Sequence, residues 1–284
     1  MKTLFIVSAG VLACLATACD WENSHSDRIS VKSIHNSCSK TNLVFEGDKI
    51  ITATLSFGSH VAQVKNFFYV HGLLTSVKMT SDDGLSFETQ LEYDADRRLS
   101  KEIYSQKYSG IDASGNQIAF SFVNLTEFVY DENGNIITTL TRQSKSSDRD
   151  DNQSNGGRSA RDELEEEKRV DRHDYTWSKG NVIKETRRYC DEHGSCGVPF
   201  DETFYTYDNK RNYTNQEIVF RYINLSSIPF VFSRNNVTKI ASDFNGELKQ
   251  DYWYEFHYNK HGYPSDYNCM YDGATPNPFT LEYR

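Results

Sequence analysis

The sequence repeats one short statement. An aromatic residue closes an apolar run, a tight turn follows, and a new run opens on an aliphatic residue. Its clearest copy is Tyr130-Asp131-Glu132-Asn133-Gly134-Asn135-Ile136. Asp131 can accept backbone N–H bonds and start a type I turn. Gly134 supplies the positive φ that returns the chain to a ladder, as a bulge. The same spacing follows Tyr93, Tyr207 and Tyr258, and a version one residue shorter follows Tyr69, Trp177 and Phe232. Arg97 and Arg211 stand where glycine is expected, so those two turns are strained or of another type. Units spaced roughly 25 residues apart hold two strands and two turns each, and the longer gaps hold insertions. A chain punctuated in this way folds as consecutive antiparallel hairpins.

The strands between the turns show the expected alternation. Ile51, Ala53, Leu55 and Phe57 share one face of a strand beginning at Ile50, with Thr52, Thr54 and Ser56 opposite. Phe87 to Tyr93 alternates in the same way, with Glu88, Gln90 and Glu92 on the off face. Tyr252, Tyr254, Phe256 and Tyr258 share a face with Trp253, Glu255 and His257 opposite. Such an aromatic face is the inner wall of a sheet or, failing that, a platform for sugar rings. Ala119 to Tyr130 and Glu217 to Leu225 are read as further strands.

The units YDENGNI at Tyr130, YVHGLLTSV at Tyr69 and YNKHGYP at Tyr258 resemble YD-type repeats. More closely, the chain from Lys49 to Arg284 resembles a family of uncharacterised secreted lipoproteins from Bacteroides-type bacteria. The resemblance implies a porin-like, rolled antiparallel β-sheet. It brings no catalytic residues, because the shared motifs are turn chemistry.

Composition narrows the classes. Of 284 residues, 37% are hydrophobic, yet aromatics reach 13%, with 18 Tyr and 17 Phe. Disordered chains are poor in aromatics. Tyrosine covers apolar surface while keeping its hydroxyl near water, which suits a rolled sheet that is wet on one face. The net charge of −9 excludes the basic footprint of a nucleic-acid-binding protein.

The N-terminus carries an export pattern. Lys2 precedes an apolar run from Leu4 to Ala16, too short to span a bilayer, and residues 1–18 read as a signal peptide. Leu15-Ala16-Thr17-Ala18-Cys19 resembles a bacterial lipobox, with Cys19 as the lipid-attachment residue and the membrane as its partner. The alternative is an ordinary cleaved signal with Cys19 in a disulfide. Asp20-Trp21-Glu22-Asn23 loosely resembles a surface-export signal, and the expected location is the outer membrane, periplasmic or cell-surface facing. Residues 19–42 read as a polar tether and 43–284 as the β domain, with a charged, mobile insertion over 143–174.

Four cysteines remain in the mature chain, and they allow three pairings. The short loop from Cys190 to Cys196 favours a local staple at a hairpin tip, and Cys38–Cys269 follows by elimination. His193 between two thiols matches no four-ligand zinc pattern. His257 and His261 flank a turn, so they share no helical face. Asp131 to Asn135 lacks the bidentate glutamate of a calcium loop. No metal, cofactor or catalytic residue is assigned, and no enzyme is read from the motifs.

The sequence therefore predicts an all-β protein, an antiparallel meander of roughly 14 strands rolled into a curved or barrel-like sheet. The leading function is a lipid-anchored, non-enzymatic binding module, with a glycan or a surface protein as partner. The alternatives are a carrier of an apolar ligand inside the roll and a hydrolase acting on surface glycans.

Overall fold

The computed structural model describes residues 30–82, 84–111, 117–146, 169–214, 217–223, 227–244, 247–271 and 277–284. The expected signal peptide, Cys19 and residues 147–168 of the expected insertion lie outside them. The first half of the meander comprises β1 (Val31–His35), β2 (Ser39–Glu46), β3 (Lys49–Phe57), β4 (His60–Val70), β5 (Leu73–Ser81), β6 (Leu85–Tyr93), β7 (Leu99–Ile111) and β8 (Gln117–Tyr130). The second comprises β9 (Ile136–Ser146), β10 (Val170–Ser178), β11 (Asn181–Cys190), β12 (Asp201–Arg211), β13 (Asn235–Phe244), β14 (Glu247–Tyr258), β15 (Pro264–Tyr271) and β16 (Asn277–Tyr283). Each strand pairs with its sequence neighbours, and β1 pairs with β16 to close the barrel, with Ile34 opposite Leu281.

The meander has two more strands than the sequence suggested. Part of the excess comes from the segment read as tether, since β1 and the start of β2 lie before residue 43 and β1 forms the closing seam. Its polar letters misled: Val31, Ser33, Ile34 and Thr41 are buried, and a register shift between Val31 and Ser33 breaks the simple alternation. The insertion is also narrower than expected. β9 runs into it as far as Ser146, and β10 starts inside it at Val170, which pairs with Arg142 of β9.

The repeated unit has a physical cause. At one end of the barrel, six of the strand-closing rings donate a hydrogen bond to a carbonyl just after the preceding turn, while Tyr258 donates to the Asp208 carboxylate. Tyr69 Oη donates to Ile50 O (3.0 Å), Tyr93 Oη to Leu74 O (2.7 Å) and Tyr130 Oη to Leu99 O (2.7 Å). Trp177 Nε1 donates to Ile136 O (2.7 Å), Tyr207 Oη to Val182 O (2.6 Å) and Tyr283 Oη to Pro264 O (2.6 Å). The rings fill the inner rim while their polar atoms are satisfied. Asp131 caps its turn as the sequence suggested, accepting from the amides of Asn133 and Asn135, and Gly134 has φ +80°. Arg97 takes φ 63° at the matching place in its own turn. Arg211 does not; it ends β12, where the chain leaves the wall. Tyr130→Phe is expected to lower stability by about 1–2 kcal/mol in urea unfolding, because the Leu99 carbonyl loses its donor.

Among the described residues, that departure is the one break in the meander. Residues 217–223 and 227–232 carry two short helices, α1 (Val219–Ile223) and α2 (Ile228–Phe232), whose buried residues include Val219, Phe220, Ile223 and Val231. The strand expected over Glu217 to Leu225 and the turn unit at Phe232 are therefore corrected. Val219, Phe220 and Ile223 follow helical spacing, and Pro229 opens α2 behind Ser227 at its N-cap. The helices reach distant walls. Lys65 Nζ of β4 donates to Ile223 O at 2.8 Å, Arg221 Nε pairs with Glu102 Oε2 of β7 at 3.1 Å, and Phe230 meets Tyr254 of β14 edge-on. Contacts to three separated parts of the wall place this segment inside the barrel, as a plug.

The wall has opposite faces. Val77, Met79 and Leu91 point inward and are buried, while Lys78–Glu88 (3.3 Å) and Lys101–Glu92 (3.6 Å) pair across strands outside. Farther round, Lys184–Glu202 and Lys239–Asp251 pair at 2.7 Å each.

Candidate functional site

The plug is fixed by polar side chains at both of its ends. Asn212 Nδ2 donates to Phe230 O (2.7 Å) and Ser233 O (3.0 Å), and its Oδ1 accepts from the Thr214 amide. Asn236 Oδ1 accepts from the Tyr213 amide, and its Nδ2 donates to Asp208 Oδ2 and Arg211 O. Arg221 and Tyr222 both reach Glu102 Oε2, the tyrosine at 2.6 Å. Burial opposes the Arg221 charge, but Glu102 and the neighbouring tyrosines hold its pKa above the ordinary guanidinium value.

Beside the plug lies a cavity of about 470 Å³, within the range of small-molecule sites. It reaches from Asn212 and Tyr213 on the plug to His35 and Ser39, which flank the β1–β2 hairpin at the opposite end of the barrel. Phe230, Tyr254, Phe256, Tyr267 and Phe279 make one side of it, and Ile34, Leu55 and Val237 supply aliphatic surface. Tyr267 and Phe279 are stacked, with centroids 4.9 Å apart and planes 8° apart. The aromatic face of β14 is thus inner wall, as the alternation implied. Its opposite face carries Trp253, which is exposed. Lys239 lies over Trp253, and Lys184 over the exposed Phe204, both 5.4 Å from the ring centres. These outer rings are already attended by cations and do not form a bare row.

A charged network occupies the inner face of β10 to β12. His173 Nδ1 contacts Glu185 Oε1 at 2.6 Å and its Nε2 faces Asp171 Oδ2 at 3.5 Å. Arg187 lies 3.4 Å from both Asp171 and Asp201, and Tyr205 Oη donates to Glu185 Oε2 at 2.7 Å. Burial pulls the His173 pKa down, but hydrogen bonds and charge from Asp171 and Glu185 outweigh it and hold it at about 9. Burial likewise raises the Glu185 and Asp171 pKa values, and His173 carries both below their ordinary range. An imidazole already protonated at neutral pH has no lone pair for general-base work. The network ties β10, β11 and β12 together across their inner face. Sequence inspection missed it, although Asp171-x-His173-x-Tyr175 and Glu185-x-Arg187 put these side chains on one strand face.

The cysteines divide. Cys190 and Cys196 form a disulfide in the connection from β11 to β12, as expected. Cys38 and Cys269 are free thiols, which corrects their expected pairing. Cys38 is exposed in the β1–β2 turn, whereas Cys269 lines the cavity from β15. Burial pushes the Cys269 thiol up and the Tyr254 hydroxyl only partly offsets it, so it is no nucleophile at neutral pH. Cys19 lies outside the described residues. His193 is exposed at the disulfide tip, and His257 pairs with Asp266 at 2.5 Å on the outer surface. Among the described residues, no three His, Cys, Asp or Glu side chains are grouped to hold a metal ion.

No protein-family model matches the chain, and no curated protein matches it. Among solved structures, it resembles a porin-like protein from Bacteroides vulgatus, with TM-score 0.53 and 13% identity, over 90% of this chain and 99% of that one. A porin-like protein from Bacteroides uniformis matches with TM-score 0.44 and 8% identity, over 90% and 95% of the two chains. At this identity the likeness is one of fold: the chain is an all-β antiparallel meander closed into a barrel like that of the Bacteroides vulgatus protein.

Proposed function

We propose that this protein is a non-enzymatic envelope lipoprotein that carries a small apolar ligand inside its barrel. The observation that carries the proposal is the aromatic cavity beside the plug, about 470 Å³ in volume and lined by rings that water solvates poorly. The charged outer wall fits a barrel bathed in water, since a lipid-facing barrel needs an outward apolar band about 25 Å tall. Attachment to the outer membrane then falls to the lipid on Cys19, for which the lipobox-like Leu15-Ala16-Thr17-Ala18 is the support. The YD-like turns are the scaffold that spaces the hairpins, and they take no part in binding.

Nile red titrated into the purified protein is expected to saturate at one dye per chain with blue-shifted emission. Cys269→Phe, which adds a ring to the cavity, is expected to weaken that binding at least about fivefold, a change of roughly 1 kcal/mol. An unsaturable signal, or one indifferent to Cys269→Phe, would reject the carrier. Metabolic labelling with a radioactive fatty acid tests the anchor: the label is expected on the wild type and absent from Cys19→Ala.

A further inference from the structure

Tyrosine hydroxyls inside this barrel are almost all spoken for. Those of Tyr69, Tyr93, Tyr130, Tyr207 and Tyr283 hold the rim, and those of Tyr205 and Tyr222 bond carboxylates. Tyr213 and Tyr267 differ. Both line the cavity, and neither hydroxyl has a hydrogen-bond partner among the described residues. Tyr213 is only 6% exposed, and its side chain lines the cavity. Tyr254 completes the group: its ring lies 6.3 Å from that of Tyr267, and among the described residues its hydroxyl bonds the Cys269 thiol, a weak partner. Tyr213 and Tyr254 each raise the pKa of Tyr267 further, which marks the three as neighbours. Burial has already raised it, so all three stay neutral donors.

Most of the other polar groups of the lining are engaged, Ser227 excepted, whose side chain caps no amide of α2. The Asn212 and Asn236 side chains hold the plug, and Ser39 Oγ donates to Asn36 Oδ1. The lining contains no lysine or arginine, and His35 faces Glu282 at 3.8 Å. A buried carboxylate would find no cation there, and an unpaired buried charge is costly. A pure hydrocarbon would leave the phenols unpaired, which is costly too.

We propose that the cavity takes a neutral amphiphile, an apolar chain carrying one hydrogen-bond-accepting oxygen, and that Tyr213, Tyr254 and Tyr267 present their hydroxyls to that oxygen. The proposal rests on the carrier reading and names its ligand class. Methyl laurate, laurate and dodecane share a chain length and differ in the head, so their displacement of Nile red tests it. Methyl laurate is expected to compete about tenfold better than either of the others, as two ordinary hydrogen bonds would give. In the double variant Tyr213→Phe, Tyr267→Phe that advantage is expected to vanish while the affinity for dodecane holds. Circular dichroism confirms that this isosteric variant folds, and the single variants serve if it does not. Equal competition by ester and hydrocarbon, or an ester preference that survives the variants, overturns the assignment and leaves the carrier intact. Preference for laurate overturns the neutral class. Failure of Nile red and of all three ligands to bind removes the carrier and this proposal together.

Discussion

Arg221→Met is expected to lower the stability of the protein by about 3–5 kcal/mol, the cost of stranding one partner of a buried ion pair. Glu102 would remain inside the barrel with Tyr222 as a neutral donor, and its side chain is only 11% exposed. The paired change Arg221→Met, Glu102→Leu is expected to recover most of the loss, because it removes both charges from the interior. Urea unfolding followed by tryptophan fluorescence measures both. The plug touches the cavity through Phe230 and Ser227, so the single variant is also expected to weaken Nile red binding and the paired variant to restore it. A single variant as stable as the wild type would mean that the plug is not held by this pair.

The second large effect is a dependence on pH set by His173. Its folded pKa of about 9 stands above the ordinary 6.5, so protonation favours the folded state. The contribution is complete below about pH 6.5 and is lost as pH rises through about 9. A shift of this size corresponds to roughly 3 kcal/mol at most. Glu185 and Asp171 act at the other end, where lowered pKa values give stability that is present above the ordinary carboxylate range and lost as the carboxyls protonate. Stability is therefore expected to peak between these limits. In His173→Gln the alkaline fall is expected to disappear while the protein becomes less stable at neutral pH. Thermal melts across the range provide the check, and an unchanged alkaline limb in the variant would rule out His173 as its source.

The wall of the barrel was legible because its signals are local. Asp131, Gly134 and their counterparts state where a strand stops, and alternation states which residues face inward. The turn units even record hydrogen bonds between hairpins, since Tyr69, Tyr93 and Tyr283 each reach back 19 residues to their acceptor. What stayed hidden depends on closure. β1 is short and reads as polar tether until Leu281 and Tyr283 of β16 stand beside it. The plug looked like one more strand because its apolar content suits either period, and only the Ser227-Ile228-Pro229 start signal separates them. The cavity was the least legible. In sequence Tyr213 only reopens a run after the Tyr207 turn, and nothing near it announces Tyr254 and Tyr267, which arrive when the far side of the wall curls round.

The rim bonds also give the chain a direction. Every ring that closes an even-numbered strand in this set is anchored on a hairpin made earlier in the sequence, never on a later one. A chain emerging N-terminus first could therefore verify each hairpin against its predecessor as soon as it appears. A slip of one residue would turn the ring outward and leave the waiting carbonyl empty, so register errors would be rejected locally, before they spread. The seam between β1 and β16 has no such early test. It must wait for the last strand, and it carries the greatest sequence separation in the sheet. Assembly would then proceed as a sequence of checked steps that ends in one slow, committing closure.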